Sequence, residues 1–441
     1  MKLSKSALLI LAAFGASPAL AADLLDVYRS ALSQDAAFAS ARASQQAGQE
    51  KKSQGRSLLM PNVNLTANST YNDINVQFAA GSRALQYNNS GYGVSLVQPL
   101  FRQQSWLAYT ESELQVTISE AQYKLAEHDL ILRVAQGYFD VLTAQDNVQL
   151  TEAQKRAISE QLEQAKRNFE VGTSTITDTY EAQARYDLIS AQEISAQSNL
   201  EIKNRALLQI INVAPGELRQ LNKELKLEAP QPADVEKWVA SALQNNVQIT
   251  IAGAAEQLAE KEVSRTLGGH LPTLDLVANY SMNSANGGTF TGAGYGAADT
   301  TSKVVGIQFN MPLFQGGATQ SKYREADAGR DKAKQDLENV RRTVTVQTRQ
   351  AYLGVVSGIA QVKALQQALK SSESLLEASK LGQGVGVRTN LDVLNAQQQL
   401  FSTRRDLYQA EYIYLLSRLR LKAAVGTLSE EDVSRVNQVL H

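Results

Sequence analysis

The sequence is written twice, and a tandem repeat constrains the fold more than any single motif does. The stretch Ser57-Leu58-Leu59-Met60-Pro61-Asn62-Val63-Asn64-Leu65 returns as Gly268-Gly269-His270-Leu271-Pro272-Thr273-Leu274-Asp275-Leu276, with Pro61 and Pro272 lying 211 positions apart. Gly93 with Pro99-Leu100-Phe101 returns as Gly306 with Pro312-Leu313-Phe314. Val171-Gly172, Asp178 and Ala182-Gln183 return as Val385-Gly386, Asp392 and Ala396-Gln397, now at an offset of 214. Landmarks in one order with three residues of drift divide the 441 residues into two similar halves, where length alone would suggest two or three unrelated domains. The expected organisation is a leader over 1–21, a first repeat over 22–213, a linker over 214–233 with Pro215, Gly216, Pro230 and Pro232, a second repeat over 234–425, and a tail over 426–441.

The leader orders Lys2 and Lys5, the apolar run from Ala7 to Phe14, and Ala19-Leu20-Ala21, as in a cleaved secretory signal. Its apolar core is shorter than the roughly 20 residues of a spanning helix, and no later run is long enough either. The mature chain is therefore expected in the periplasm or crossing a membrane as strands. Lys plus Arg number 43 against 44 Asp plus Glu, a net charge of −1, which lacks the basic footprint of a nucleic-acid binder. Cysteine is absent, which excludes disulfides, thiolate metal sites and attachment of lipid through a cysteine. With only His128, His270 and His441 as imidazoles, no catalytic residue, cofactor or metal is expected.

Each half has the same grammar. Between Arg102 and Phe169 there is no proline, and Leu114, Ile118, Ala121, Leu125, His128, Leu132, Ala135, Phe139 and Leu142 step by four and three, the seam of a coiled coil. A helix of this length would run about 100 Å. Shorter helical stretches of about 37 and 40 residues, from Asp23 and from Thr173, would stack end to end beside it and give a needle. His128, on the seam, is expected to be packed. The charged run from Lys322 to Arg342 reads as the solvated flank of the second long helix.

At Pro61 the period changes to two. Val63, Leu65, Ala67, Ser69 and Tyr71 alternate with Asn62, Asn64, Thr66, Asn68, Thr70 and Asn72, and a partner follows through Tyr92, Val94 and Leu96. The second half repeats this with Leu274, Leu276, Ala278, Tyr280 and Met282, answered by Val305, Ile307, Phe309 and Met311. Strands of about ten residues with one apolar and one asparagine-rich face match membrane-spanning strands with lipid outside and water inside. The same pattern also fits surface hairpins on a soluble protein. Four strands cannot close a barrel and lipid tolerates no open edge, so a spanning chain must oligomerise. Two copies would fill the interior with side chains; three leave room for water, as the asparagine faces favour. Gly287-Gly288 and Thr291 to Gly296 sit between strands and read as a hairpin loop, with no Lys-Ser/Thr to make a phosphate cradle.

The chain resembles the TolC family of outer-membrane channels. The similarity lies in Leu271-Pro272-Thr273-Leu274-Asp275-Leu276, Val171-Gly172 with Ile176-Thr177-Asp178, Val385-Gly386 with Arg388-Thr389 and Leu391-Asp392-Val393-Leu394, and Gly426-Thr427-Leu428. The resemblance implies a fold that is mainly α with a small β part: duplicated long coiled-coil helices plus four transmembrane strands per chain, trimerised into a tunnel. It implies a homotrimer in outer-membrane lipid with a long periplasmic extension and an equatorial belt from linker and tail. It further implies export without enzymatic activity, coupled through a periplasmic adaptor to an inner-membrane transporter, ABC-type or proton-driven. The missing lipidation cysteine is more similar to the type I secretion branch than to drug efflux. Family members often carry Asn-Pro where this chain has Gln34-Asp35-Ala36 and Asn245-Asn246-Val247, so those helix entries are expected to differ.

The two Val-Gly turns, Val171-Gly172 and Val385-Gly386, correspond to the periplasmic tip, closed at rest in the resemblance and the expected adaptor-docking surface. Thr177, Asp178 and Arg388 are the candidate gate: Asp178 and Arg388 would link neighbouring tip hairpins, or they are solvated residues near helix starts, where Asp is favourable anyway. Asp392 would line the pore as an acidic ring that favours cations, or would point outward into solvent. Asn395, one turn on, stands where the family doubles the carboxylate, which halves the expected ring charge. Rival functions are a pore-less periplasmic coiled-coil scaffold or adaptor, and a drug-efflux channel.

Overall fold

The computed structural model describes residues 22–78, 81–213, 216–222, 225–290 and 295–440. The expected leader, Pro215 of the linker and residues 291–294 of the glycine-rich segment lie outside them. The elements run α1 (Leu24–Gln34), α2 (Ala36–Ser57), β1 (Asn62–Phe78), β2 (Gly81–Phe101), α3 (Gln103–Glu170) and α4 (Ile176–Ile211). They continue with α5 (Val235–Asn245), α6 (Val247–Leu267), β3 (Thr273–Phe290), β4 (Tyr295–Asn310), α7 (Ala318–Gly384), α8 (Asn390–Val425) and α9 (Glu430–Asn437). The order helix, helix, strand, strand, long helix, helix thus occurs twice in a mainly helical chain, and α3 and α7 have 68 and 67 residues. None of the described helices is long and apolar enough to cross a membrane. The chain divides into two compact units, one of residues 42–123 with 247–341 and one of the remainder.

The first unit carries a single antiparallel sheet in the order β1-β2-β3-β4. Its middle pairing, from Asn89↔Ala285 to Phe101↔Leu274, joins the two halves of the sequence. At its root Arg102 grips the buried Asp275 with two hydrogen bonds, Nε to Oδ1 at 2.8 Å and Nη2 to Oδ2 at 2.6 Å, another link between halves. Asp275 occupies the place of Asn64 in the first half, so this ion pair is not repeated. The strands have 16 to 21 residues, not about ten, because turn-prone stretches such as Asn88-Asn89-Ser90-Gly91 are held extended by partners on both sides. Apolar positions stand uncovered: Leu65 is 73 % exposed, Tyr71 67 % and Val305 77 %. Gly287 and Gly288 belong to β3 and Tyr295 and Gly296 to β4, so the expected loop is shorter than its glycines suggest.

The second unit holds the helical core. Asp23 caps α1 by accepting from the Asp26 amide at 2.8 Å, and Leu24, Val27, Tyr28 and Ala31 pack inward. The uninterrupted first helix expected from Asp23 is broken at Asp35, whose backbone is extended (φ −67°, ψ 118°). Its carboxylate caps α2 through the Phe38 amide at 2.7 Å and takes both arms of Arg133 at 2.9 and 3.1 Å, which holds its pKa below the usual carboxylate range. The second half breaks at Asn246 (φ −66°, ψ 130°), whose side-chain amide donates to the Ala424 carbonyl at 2.7 Å. A polar residue thus makes each break without proline, Asp35 by capping the next helix and Asn246 by tying the break to the end of α8.

Of the seam, Ala121, His128, Ala135, Phe139 and Leu142 are buried, while Leu114, Ile118, Leu125 and Leu132 are half-buried. Leu130, Ile131, Val134, Tyr138 and Val141 are buried too, so around residues 128–144 the helix is enclosed on more than one face. The linker and the tail supply part of that enclosure. Leu221 bridges Leu440, the Leu24 amide donates to Asn437 Oδ1 at 3.0 Å, and Tyr138 donates to the Arg219 carbonyl at 2.9 Å. His128 is 3 % exposed, and burial lowers its pKa, keeping the imidazole neutral.

Candidate functional site

The helix-to-helix turns after α3 and α7 are the same structure built twice. Gly172 adopts φ +76° and Gly386 φ +78°, a left-handed conformation that costs any residue with a Cβ. The Gly172 amide donates to the Phe169 carbonyl and the Thr173 amide to that of Asn168, at 2.9 and 2.8 Å. The second turn repeats both bonds 214 residues on, from Gly386 to Gln383 and from Val387 to Gly382, at 3.1 and 2.9 Å. This pattern uses the orphan carbonyls of a helix end and leaves the turn's side chains free. Val171, Val385 and Val387 are accordingly 73, 68 and 76 % exposed, an apolar tip on each turn.

The next helix starts with a capping box in both copies. Thr175 Oγ1 accepts from the Asp178 amide at 3.3 Å, and Asp178 Oδ2 accepts from the Thr175 amide and hydroxyl at 3.0 and 2.9 Å. Thr389 and Asp392 do the same at 3.2, 2.9 and 2.9 Å. Bonds from the Thr389 amide and hydroxyl, with the Arg388 charge behind them, hold Asp392 below the usual carboxylate range. Within the chain both aspartates therefore serve as helix caps. The signal was in the sequence as Thr-x-x-Asp at both sites.

Arg388 lies against Gly382, whose missing side chain makes room: a Cβ there would meet Arg388 Cγ at 2.7 Å. Its guanidinium reaches Asp392, one turn on, at 3.7 Å. Asp178 and Arg388 line one cavity of about 360 Å³ together with Thr175, Gln383, Thr389 and Asn390, and no ion pair joins them within this chain. Thr177 is exposed beside them. Asn395 is engaged sideways: it accepts from Arg185 Nη2 at 3.0 Å, while Nη1 of the same arginine donates to Gln398. Below this polar layer Leu394 packs on Ile158, Ile189 and Tyr186, which joins α8 to the α3–α4 coil. Thr175, Thr389 and Arg185 are the participants that sequence reasoning missed, and nothing local marked Arg185.

The arrangement contains no nucleophile with a base, and no group of metal-binding side chains occurs among the described residues. What it can do is hold two hairpin tips by exposed, individually weak polar contacts.

A family described as outer membrane efflux protein matches residues 27–213 and 238–427. The outer membrane protein TolC of Vibrio cholerae is 34 % identical over 433 residues, covering 98 % of this chain and 97 % of the relative. The alkaline protease secretion protein AprF of Pseudomonas aeruginosa is 32 % identical, covering 95 % of this chain and 87 % of its own. Among solved structures, the CmeC outer membrane channel of Campylobacter jejuni superposes with a TM-score of 0.79 at 18 % identity, covering 95 % of this chain and 90 % of that one.

Proposed function

The chain belongs to the outer membrane efflux protein family, and from that premise we propose how it works as a channel. It is an outer-membrane channel for export, not an enzyme, so the pore-less scaffold is set aside. Three copies close one tunnel. The observation that carries this is the sheet: apolar side chains stand uncovered on it, and β1 and β4 each present an unpaired edge. An open edge in hydrocarbon leaves backbone groups unsatisfied, at several kcal/mol each. β1 leaves the helical end of the unit and β4 returns to it, so β4 of one copy beside β1 of the next is antiparallel, like every other pairing in the sheet. Three copies give twelve strands, an even number, and a lumen wide enough for water.

The turns at Val171-Gly172 and Val385-Gly386 form the periplasmic tip and dock an adaptor that couples the channel to an inner-membrane transporter. Type I secretion is the preferred pathway: the chain has no cysteine for a lipid anchor, and one similar relative is named for alkaline protease secretion. Asp178 and Arg388, with Thr177, restrain the closed tip by contacts between neighbouring hairpins. Asp392 gives a ring of single charges, because Asn395 carries no charge and is instead an acceptor for Arg185. Magnitude limits the polar restraint. Exposed pairs contribute about 0–1 kcal/mol each, so three contribute at most about 3, whereas moving a gate from 1:99 to 99:1 takes about 5.5. Coil packing such as that of Leu394 supplies the rest.

Purified protein reconstituted in planar bilayers tests the reading. Stable conductance steps from a species of three chains are expected; a conductance-silent monomer would refute it.

A further inference from the structure

We propose that the groove framed by α3, α4 and α8 binds a small polyvalent oxyanion between Arg185 and Arg405. The groove encloses about 600 Å³, within the range of small-molecule sites. Its wall has two arginines, five side-chain amides, three hydroxyls and no carboxylate. Arg185 makes its two hydrogen bonds to neutral partners, Asn395 Oδ1 and Gln398 Oε1. Among the described residues no carboxylate lies within ion-pair distance of it. Five N–H donors on a planar guanidinium leave several directed elsewhere, in the fork geometry that carboxylates and phosphates match.

Arg405 reaches Ser402 Oγ at 3.3 Å and is only partly neutralised, by its neighbour Asp406 at 3.2 Å. The nearby Lys155 and Glu193 satisfy each other outside the wall. Gln398, which holds Arg185, and Ser402, which holds Arg405, are one turn apart on α8, about 6 Å along the axis. Two guanidinium groups anchored one helical turn apart on the same wall suit an anion with two charged ends better than a monovalent one. The duplication supports a specific role. The helix caps recur 214 residues apart, yet the positions equivalent to Arg185 and Arg405 are Gln399 and Ala191, so both arginines belong to this groove alone.

Isothermal titration of the full-length protein in detergent with inorganic pyrophosphate, against acetate as the monovalent control, tests the proposal. One saturable site per chain is expected for pyrophosphate and none for acetate. Arg185→Gln and Arg405→Gln, measured separately and each with native helicity by circular dichroism, should each weaken binding about ten-fold or more. Arg404→Gln is the comparison, because Arg404 pairs with Glu373 at 3.0 Å and does not line the groove; it should bind as wild type. Absence of saturable heat, or equal weakening by Arg404→Gln, would overturn the assignment.

Discussion

Replacing Gly426 by alanine should damage the protein more than the same change at the tip glycines, and the difference follows from what each added methyl would meet. Gly426 ends α8 at φ +84°, with its amide shared between the Lys422 and Ala423 carbonyls. A Cβ there would lie 2.3 Å from the Asn245 carbonyl oxygen and 2.9 Å from both Asn245 C and Asn246 Cα. All three are backbone atoms at the α5–α6 break, and Asn246 is itself tied to the Ala424 carbonyl, so no rotamer change relieves the clash. The left-handed conformation costs about 1–2 kcal/mol and forced overpacking about 1–3 more, roughly 2–5 in all. Gly172 and Gly386 share the conformation but have nothing within 4 Å of the added atom, so only the first cost applies. The assay is the thermal midpoint by far-ultraviolet circular dichroism at one protein and detergent concentration, because assembly makes it concentration-dependent. Gly426→Ala should melt well below Gly172→Ala. Coincident midpoints would refute the reasoning.

Four further outcomes follow. Arg133→Gln strands the buried Asp35 carboxylate and should cost about 1.5–3 kcal/mol at pH 7. The native pair depresses the Asp35 pKa, so its contribution is present above the unfolded value of 3.8 and fades as pH falls through the folded one; the mutant's deficit should shrink near pH 3 in thermal melts. Burial raises Glu411 to about 7, with the nearby Asp146 adding to the rise, and burial raises Asp146 itself to about 6 against a hydrogen bond from Tyr412 at 2.7 Å. Between the unfolded values and these, the folded chain holds more protons, so stability falls as pH rises from about 4.5 to 7, and Glu411→Gln should flatten that slope in pH-resolved melts. Asp178→Ala with Arg388→Ser should raise single-channel conductance in planar bilayers, and unchanged conductance would remove both from the gate. Asp392→Ala should weaken cation preference in reversal-potential measurements, whereas Thr389→Ala, which breaks the same helix cap but keeps the charge, should leave it unchanged.

Much of this architecture was legible because it is carried by periodicity. The four-three seam of α3 and the alternation after Pro61 are local patterns that tertiary contacts reinforce. Strand length was not legible: Asn88 to Gly91 are poor strand residues by propensity, and only pairing with β1 and β3 keeps them extended. The break at Asp35 joins a local cap on the Phe38 amide to a partner that no local pattern marks, Arg133, 98 residues away. At the tip, Asp178 and Asp392 carried a local signal for capping that their charge overshadowed. Arg185 had no local signal, since its partners lie more than 200 residues on.

The central claim is that the free edges of the sheet are closed by copies of the same chain. The absence of native cysteine makes it directly measurable, because every disulfide must come from introduced residues. One cysteine in residues 64–70 of β1 and one in residues 302–308 of β4, scanned over registers and oxidised in outer membranes, should give covalent trimers as the largest product on denaturing gels. Cysteines placed only on β2 and β3 should give none. Covalent dimers as the end product, or no cross-link at any register, would contradict the account.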